Sequence, residues 1–447
     1  MFFLSHDLSG KDGFGLKAGV LSASIVVLLW FFVPFGVRAE DVDAQTRMSQ
    51  ADSLFREGKF AESEALYSDL AQEQPDNYHL ALMLGKINLY ENALEESEKW
   101  LKKAVLLEPE ENDPRALLAE AYCRQDDFSE AASLYRGMDK TSLAERLEYL
   151  SRSVPYEIKS DLDITTVEFV QTDPLPVVKM RINDSQDALF LIDTGGWELS
   201  IDTELAQEVG AEKFGSQTAT YAGGKQATTY QGVVGQVRIG DFTVNNVPVN
   251  ISDAPKRIAA MFGMPIRGVI GTVFLYHFVF TLDYPGGKLV LQRRTDRNVE
   301  RLKGQVRSKD NMVVPFWMAG DHFMVAWGTV NRGRPMLLFV DTGLAGGGFS
   351  SSKGTAEEAG IKLPEESLEG QGGGGKVAIK PAMVDELTLG DAREKNVMGI
   401  FGAFDGTDLE HKFGFRIGGI ISHGFFRPYK LTFDFSSMNL ILQRGED

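Results

Sequence analysis

The sequence predicts a multidomain α plus β chain: an N-terminal membrane segment, an α-helical repeat region, and a mainly-β region built from two related lobes. Three observations predict it. Ala18 to Val37 is an uncharged apolar run of about 20 residues, enough to cross a bilayer. From Ala44 to about Tyr149 the residues follow helical rather than strand periodicity and repeat with a period of 34. Beyond residue 160, two matched halves each carry an apolar run ending in Asp-Thr-Gly. The corresponding boundaries are 1–39 for the signal or anchor, 40–150 for the helical repeats, 151–160 for a linker, 161–300 for the first lobe and 301–447 for the second.

The N-terminal run is read either as a cleaved signal peptide, with Val37-Arg38-Ala39 before Glu40 as the processing site, or as a retained anchor. Lys11 and Lys17 before it, and Glu40, Asp41 and Asp43 after it, predict that the rest of the chain lies outside the cytoplasm, periplasmic in a bacterium. The single Cys123 excludes an intrachain disulfide framework, so stability must come from the core. A net charge of −17 argues against a nucleic-acid partner, which would need a basic face.

In the helical region, Ala51, Gly85 and Ala119 are spaced by 34, as are Phe60, Leu94 and Phe128, then Ser63, Ser97 and Ala131, and finally Pro75 and Pro109. Small residues in the first and third series let paired helices approach closely, the larger residue between them fills the gap, and each Pro ends a helix. This pattern resembles three tetratricopeptide repeats, the third lacking its Pro. Two roles follow from such repeats: a concave surface that docks a peptide or partner protein, or a spacer and cap for what comes after.

After Ser151 to Ser160 the periodicity changes to short alternating runs with Gly turns, at Thr165 to Val170, Val177 to Ile182, Gly235 to Ile239 and Phe242 to Ile251. Short helices are predicted at Thr203 to Val209 and Gly354 to Ala359, and Arg293 to Asn311 is a charged connector between the lobes. Ala188 to Trp197 reads as a buried strand ending on Asp193, followed by Thr194-Gly195; Met336 to Leu344 repeats the device with Asp341, Thr342 and Gly343. An Asn lies ten residues before each Asp, at Asn183 and Asn331. Gly268 to Gly271 is answered by Gly419 to Ser422, and each leads into an aromatic strand ending in Asp283 or Asp434. Each half also has a Gly-rich turn ending in Lys, at Gly223-Gly224-Lys225 and Gly372 to Lys376. Landmarks kept in order at an offset of about 150 residues indicate an internal duplication.

On these motifs the chain resembles the aspartic proteases from near Asp161 to the C-terminus. Two lobes in one chain look like the pepsin arrangement, while short lobes with a glycine-tipped hairpin look more like retropepsins duplicated within one polypeptide. The resemblance implies a bilobal acid-protease fold with duplicated six-stranded-type lobes. It also implies Asp193 and Asp341 as a water-activating pair, Thr194 and Thr342 interlocked beneath it, and Gly195 and Gly343 offering backbone N–H groups. Tyr221, Gly223 and Gly224 would form a flap over a peptide or protein substrate; a surface hairpin with Tyr221 in its own small core is the other reading. The chain departs from the family at Gly196 and Leu344, which offer no side-chain donor to the carboxylates, and at Ser422, which replaces a Gly. Such chemistry needs no cofactor or metal, and the six His residues show no ligand spacing. A structural role is expected for His423, and turn or hydrogen-bonding roles for Asp283 and Asp434. The alternative to an endopeptidase is a catalytically silent scaffold that binds extended peptides in its cleft.

Overall fold

The computed structural model describes residues 4–5, 39–221, 225–306, 309–372, 375–404 and 406–445. The predicted membrane segment 18–37 and the flap glycines Gly223 and Gly224 lie outside the described residues. Among the described residues, no helix is long and apolar enough to cross a membrane.

Seven helices come first: α1 (Ala39–Arg56), α2 (Phe60–Glu73), α3 (Tyr78–Tyr90), α4 (Leu94–Leu107), α5 (Asn112–Arg124), α6 (Phe128–Gly137) and α7 (Thr141–Leu150). The first six form three hairpins, and α2, α4 and α6 begin 34 residues apart. The small-residue series lies where helices touch: Ala51, Gly85 and Ala119 are buried, and a Cβ on Gly85 would overlap the Leu101 side chain. The serines do more than leave room. Ser63 Oγ donates to Ala51 O at 2.8 Å and Ser97 Oγ to Gly85 O at 2.9 Å, the same bond one period apart. Pro75 and Pro109 follow the ends of α2 and α4, where a missing N–H and a fixed φ stop helical growth. Gly58, Asn92 and Asp126, also 34 apart, take positive φ (78°, 59° and 59°) in the three interhelical turns, a conformation that Gly, Asn and Asp tolerate best.

The first lobe is a nine-stranded sheet. At its centre Ala188–Ile192 runs parallel to Ile266–Ile270 and antiparallel to Val177–Ile182. The long hairpin Glu212–Tyr221/Lys225–Ile239 extends one side, and its outer strand pairs with Leu4–Ser5 at Ala219 and Thr220. Glu157–Lys159, within the expected linker, pairs with Thr243–Asn245 and forms the far edge. The second lobe repeats the plan. Met336–Val340 runs parallel to Gly419–Ile421, and the hairpins Leu368–Gly372/Gly375–Leu389 and Gly375–Leu389/Ala392–Phe401 flank them. The two short helices are at Thr203–Glu208 and Lys353–Glu358.

Six strands join the lobes, in the order 164–168, 288–293, 278–283, 429–434, 439–444 and 311–319. At the junction Thr281 pairs with Thr432, with hydroxyls 2.7 Å apart, and Phe280 stacks on Phe433 at 4.3 Å. Thr281 and Thr432 hold equivalent positions in the duplication, so an internal two-fold axis passes between them. The connector between the lobes is not irregular: Asp296–Val306 is a helix. Leu302 and Val306, one turn apart, pack on Val279 and Ile441. Its apolar stripe is narrow among many charges, which hides it in the sequence.

The helices lie across both lobes. Phe415 of the second lobe inserts between Phe55, Phe60 and Tyr90, with ring centroids at 6.1, 5.1 and 5.9 Å. Arg124 is buried and donates to Leu89 O, Met318 O and Gly320 O. On the first lobe, His277 stacks on Tyr156 at 3.6 Å and reaches Asp126 at 3.1 Å. One face of the helical region is therefore occupied by the chain's own lobes.

The two landmark asparagines have one task. Each takes φ +48°, accepts a backbone N–H from a neighbouring strand (Gln236 or Glu386) and donates to the carbonyl that ends a short helix (Val209 or Ala359). Replacing Asn183 by Ala removes two part-buried bonds and places a Cβ-bearing residue without local compensation in left-handed backbone. We expect a loss of about 2–3 kcal/mol. Asn183→Gly should recover the backbone share of it. Denaturant midpoints of the three proteins measure both quantities.

Candidate active site

Both Asp-Thr-Gly segments sit at the C-terminal ends of strands covered on both faces, which is why the preceding runs are continuously apolar. Asp193 N–H donates to Ile270 O and Asp341 N–H to Ile421 O, each at 3.1 Å, so the parallel partner strand holds each Asp at the strand end. The chain then turns back on the carboxylate: Gly195 N–H donates to Asp193 Oδ1 at 2.9 Å and Gly343 N–H to Asp341 Oδ1 at 2.8 Å.

The two turns meet across the lobe junction. A Cβ on Gly195 would overlap the Asp341 carboxylate, and a Cβ on Gly343 would overlap that of Asp193. Each glycine thus clears space for the opposite lobe's acid as well as approaching its own. Beneath them Thr194 N–H donates to Thr342 Oγ1 and Thr342 N–H to Thr194 Oγ1, both at 3.0 Å, and Thr194 Oγ1 donates to Val340 O at 3.1 Å. Thr194, Thr342 and Val340 are all buried, so these backbone donors have no water to fall back on.

Removal from water, with the Asp341 carboxylate alongside, pushes the Asp193 carboxyl well above the usual range. Two acids so placed share a proton rather than ionise together, and their titration belongs to the pair. One can then accept a proton from a water while the other donates a hydrogen bond to a carbonyl oxygen.

A family model described as aspartyl protease matches residues 178–273 and again 326–410. Each segment contains one of the two Asp-Thr-Gly turns. With the β-rich C-terminal region, the paired matches support an aspartic protease fold. A search of the curated proteins finds no match.

The departures from the protease pattern have local explanations. Thr272 Oγ1, just after the first support strand, donates to Thr194 O at 2.7 Å. Gly271 allows no Cβ, because one would meet Trp197 O and Glu198 O. In the second lobe the corresponding loop passes through Gly346, Gly347 and Gly348 and leaves room for the Ser422 side chain. Its Oγ donates to Asp341 O and accepts the Leu344 N–H, while Gly348 O accepts the Ser422 N–H. The serine thus ties down the loop that lacks a hydroxyl at Leu344. At Gly196, the backbone N–H closes the turn on Asp193 O at 3.0 Å.

Of the residues expected to form a flap, Tyr221 ends the strand Glu212–Tyr221, where it pairs with Lys225. Asp283 and Asp434 accept backbone N–H groups of the turns they begin, from Gly286 and from Ser436 and Ser437. His423 bonds Asp173 of the other lobe at 3.0 Å and packs edge-on against Tyr284. Burial pushes the His423 imidazole down, while Asp173 opposes this. Tyr284, Glu198 and Thr272 were not singled out in the sequence; Glu198 alone left a signal, as a carboxylate set between the uncharged residues 194–197 and 199–201.

Thr342→Ala strands the Thr194 N–H and should lower stability by about 1–3 kcal/mol, whereas Thr342→Ser should stay within about 1 kcal/mol of the parent, measured by chemical unfolding. Asp193 supplies a pH test. Its folded-state value lies above the unfolded one, so stability falls as pH rises from about 4 through the folded value. Asp193→Asn should therefore melt higher than the parent near pH 7, with the advantage vanishing below about pH 4.

Proposed function

We propose that this chain is an aspartic endopeptidase that hydrolyses peptide bonds with a water held between Asp193 and Asp341. The observation that carries the reading is the reciprocal pairing of the Asp-Thr-Gly turns: equivalent acids face one another, buried, on a hydrogen-bonded threonine support. Keeping two carboxyl groups together away from water is unfavourable, which supports reading the pair as a working site. The ionised acid takes a proton from water as the other polarises the scissile carbonyl. The hydroxide equivalent adds to carbon, and proton transfer to the nitrogen lets the amine leave. The hairpin ending at Tyr221 covers the bound peptide and excludes water, as lids do.

The helical hairpins are, in this reading, tetratricopeptide-like. Their face away from the lobes serves partner or substrate docking, and residues 18–37 tether the enzyme outside the cytoplasm or direct its export. The absence of a hydroxyl side chain at Gly196 and Leu344 favours a second reading, a silent cleft that holds extended peptides.

Incubating the protein with a mixed peptide library from pH 3 to 8 separates the two. Asp193→Asn and Asp341→Asn should each reduce turnover by at least about 10³-fold while binding peptides as the parent does. Cleavage undiminished in either variant excludes the dyad. No turnover by the parent at any pH, with peptide binding intact, establishes the silent cleft.

A further inference from the structure

The seventh helix carries a side chain that reaches the loop following the first Asp-Thr-Gly turn. Arg146 of α7 and Glu198 are both buried, at 2% and 5% exposure, and form a two-pronged ion pair with both N–O distances 2.8 Å. Glu198 lies five residues after Asp193 in the loop that returns the chain to the sheet. The Arg146 guanidinium also sits 5.7 Å from the centre of the Trp197 ring. The other side of the same loop is gripped by the short helix Thr272–Leu275 that follows the support strand: Thr272 N–H donates to Gly196 O and Val273 N–H to Trp197 O, both at 2.9 Å. The loop is thus held from below by its own lobe and from outside by the helical region.

The same helix touches the flap hairpin. Tyr149 packs on Phe214 with centroids 5.2 Å apart. Gly215, where the hairpin register shifts, approaches Ser142 so closely that a Cβ would overlap its side chain. Among the described residues, no comparable ion pair holds the second lobe's loop, where Gly346 to Gly348 replace the Trp-Glu pair and Ser422 supplies the tie. An ion pair buried this completely is a weak source of stability compared with apolar packing, so its physical advantage lies in geometry: a planar fork on a carboxylate defines distance and angle together.

We infer that Arg146 is a positioning residue for Asp193, acting through Glu198, so that the helical region is part of the machinery that aligns the dyad. The inference rests on the endopeptidase reading for its effect on turnover, but its effect on the loop does not.

The test uses the full chain, with Arg146→Met/Glu198→Met as the main variant, since two apolar side chains can replace a buried pair without leaving a lone charge. Its melting temperature should stay within about 5 °C of the parent. Its kcat should fall about ten- to a hundred-fold with KM changed less than about two-fold, because misplacement of a reacting group acts on the chemical step. Amide hydrogen exchange at residues 194–199 should quicken about ten-fold, with residues 342–346 unchanged. Arg146→Lys, which keeps the charge and loses the fork, should fall between parent and double variant, and serves alone should the double variant fail to fold.

Unchanged kcat and exchange in a folded variant overturn the inference and leave the endopeptidase reading intact. Exchange quickened equally in both loops also overturns it, as general loosening. A parent without turnover whose 194–199 loop alone quickens in the variant keeps the clamp and removes the endopeptidase.

Discussion

Two carboxyl groups placed side by side out of water would repel each other if both ionised, and the surrounding structure holds them together nonetheless. Their loops are tied by bonds that each lobe can make only with the other. The Thr194 hydroxyl satisfies the Thr342 N–H, and the Thr342 hydroxyl satisfies the Thr194 N–H. Any shift that parts the two turns without admitting water would strand both donors, a penalty of about 1–3 kcal/mol each. The glycines follow from the same constraint, because each lobe's turn occupies the volume beside the other's acid. The shared sheet brings the lobes into register from the opposite side, with Thr281 and Thr432 meeting at the axis.

Much of this was legible in the residues. Asp193 and Asp341 stood out because a short motif recurred in matching company, and the company proved structural: Asn183 and Asn331 perform one hydrogen-bonding task in two places. The 34-residue period was legible for a similar reason, since helix contact demands small residues at fixed intervals. Other features left weaker traces. The helix over Asp296–Val306 buries too narrow a stripe to outweigh its charges. The partnership of Arg146 with Glu198 spans 52 residues and two different periodicities, so neither side chain points to the other in the sequence. His423 and Asp173 are 250 residues apart and come together only because the lobes close on one another.

Duplication has not kept the lobes alike. In the first, a Trp-Glu pair braces the acid-bearing loop against a separate helical layer; in the second, three glycines let the chain fold onto a serine hydroxyl. Each solution satisfies the same backbone groups with different side chains. A single chain permits this because its halves never exchange places, unlike two identical chains, which must build each contact twice. One half of the site is thus open to adjustment from outside its own lobe.

The three left-handed turns of the helical region meet the two β-rich lobes one after another. Gly58 abuts Leu337, Asn92 bonds both Phe435 O and the Tyr276 hydroxyl, and Asp126 bonds His277. The series steps from the second lobe, across the junction, to the first. Repeat arrays elsewhere can grow or shrink by whole units because each unit contacts only its neighbours. Here the repeat length acts as a ruler laid against a body of fixed width. Inserting or deleting one unit would throw every later turn off its mark, so the number of hairpins is locked to the span of the two lobes.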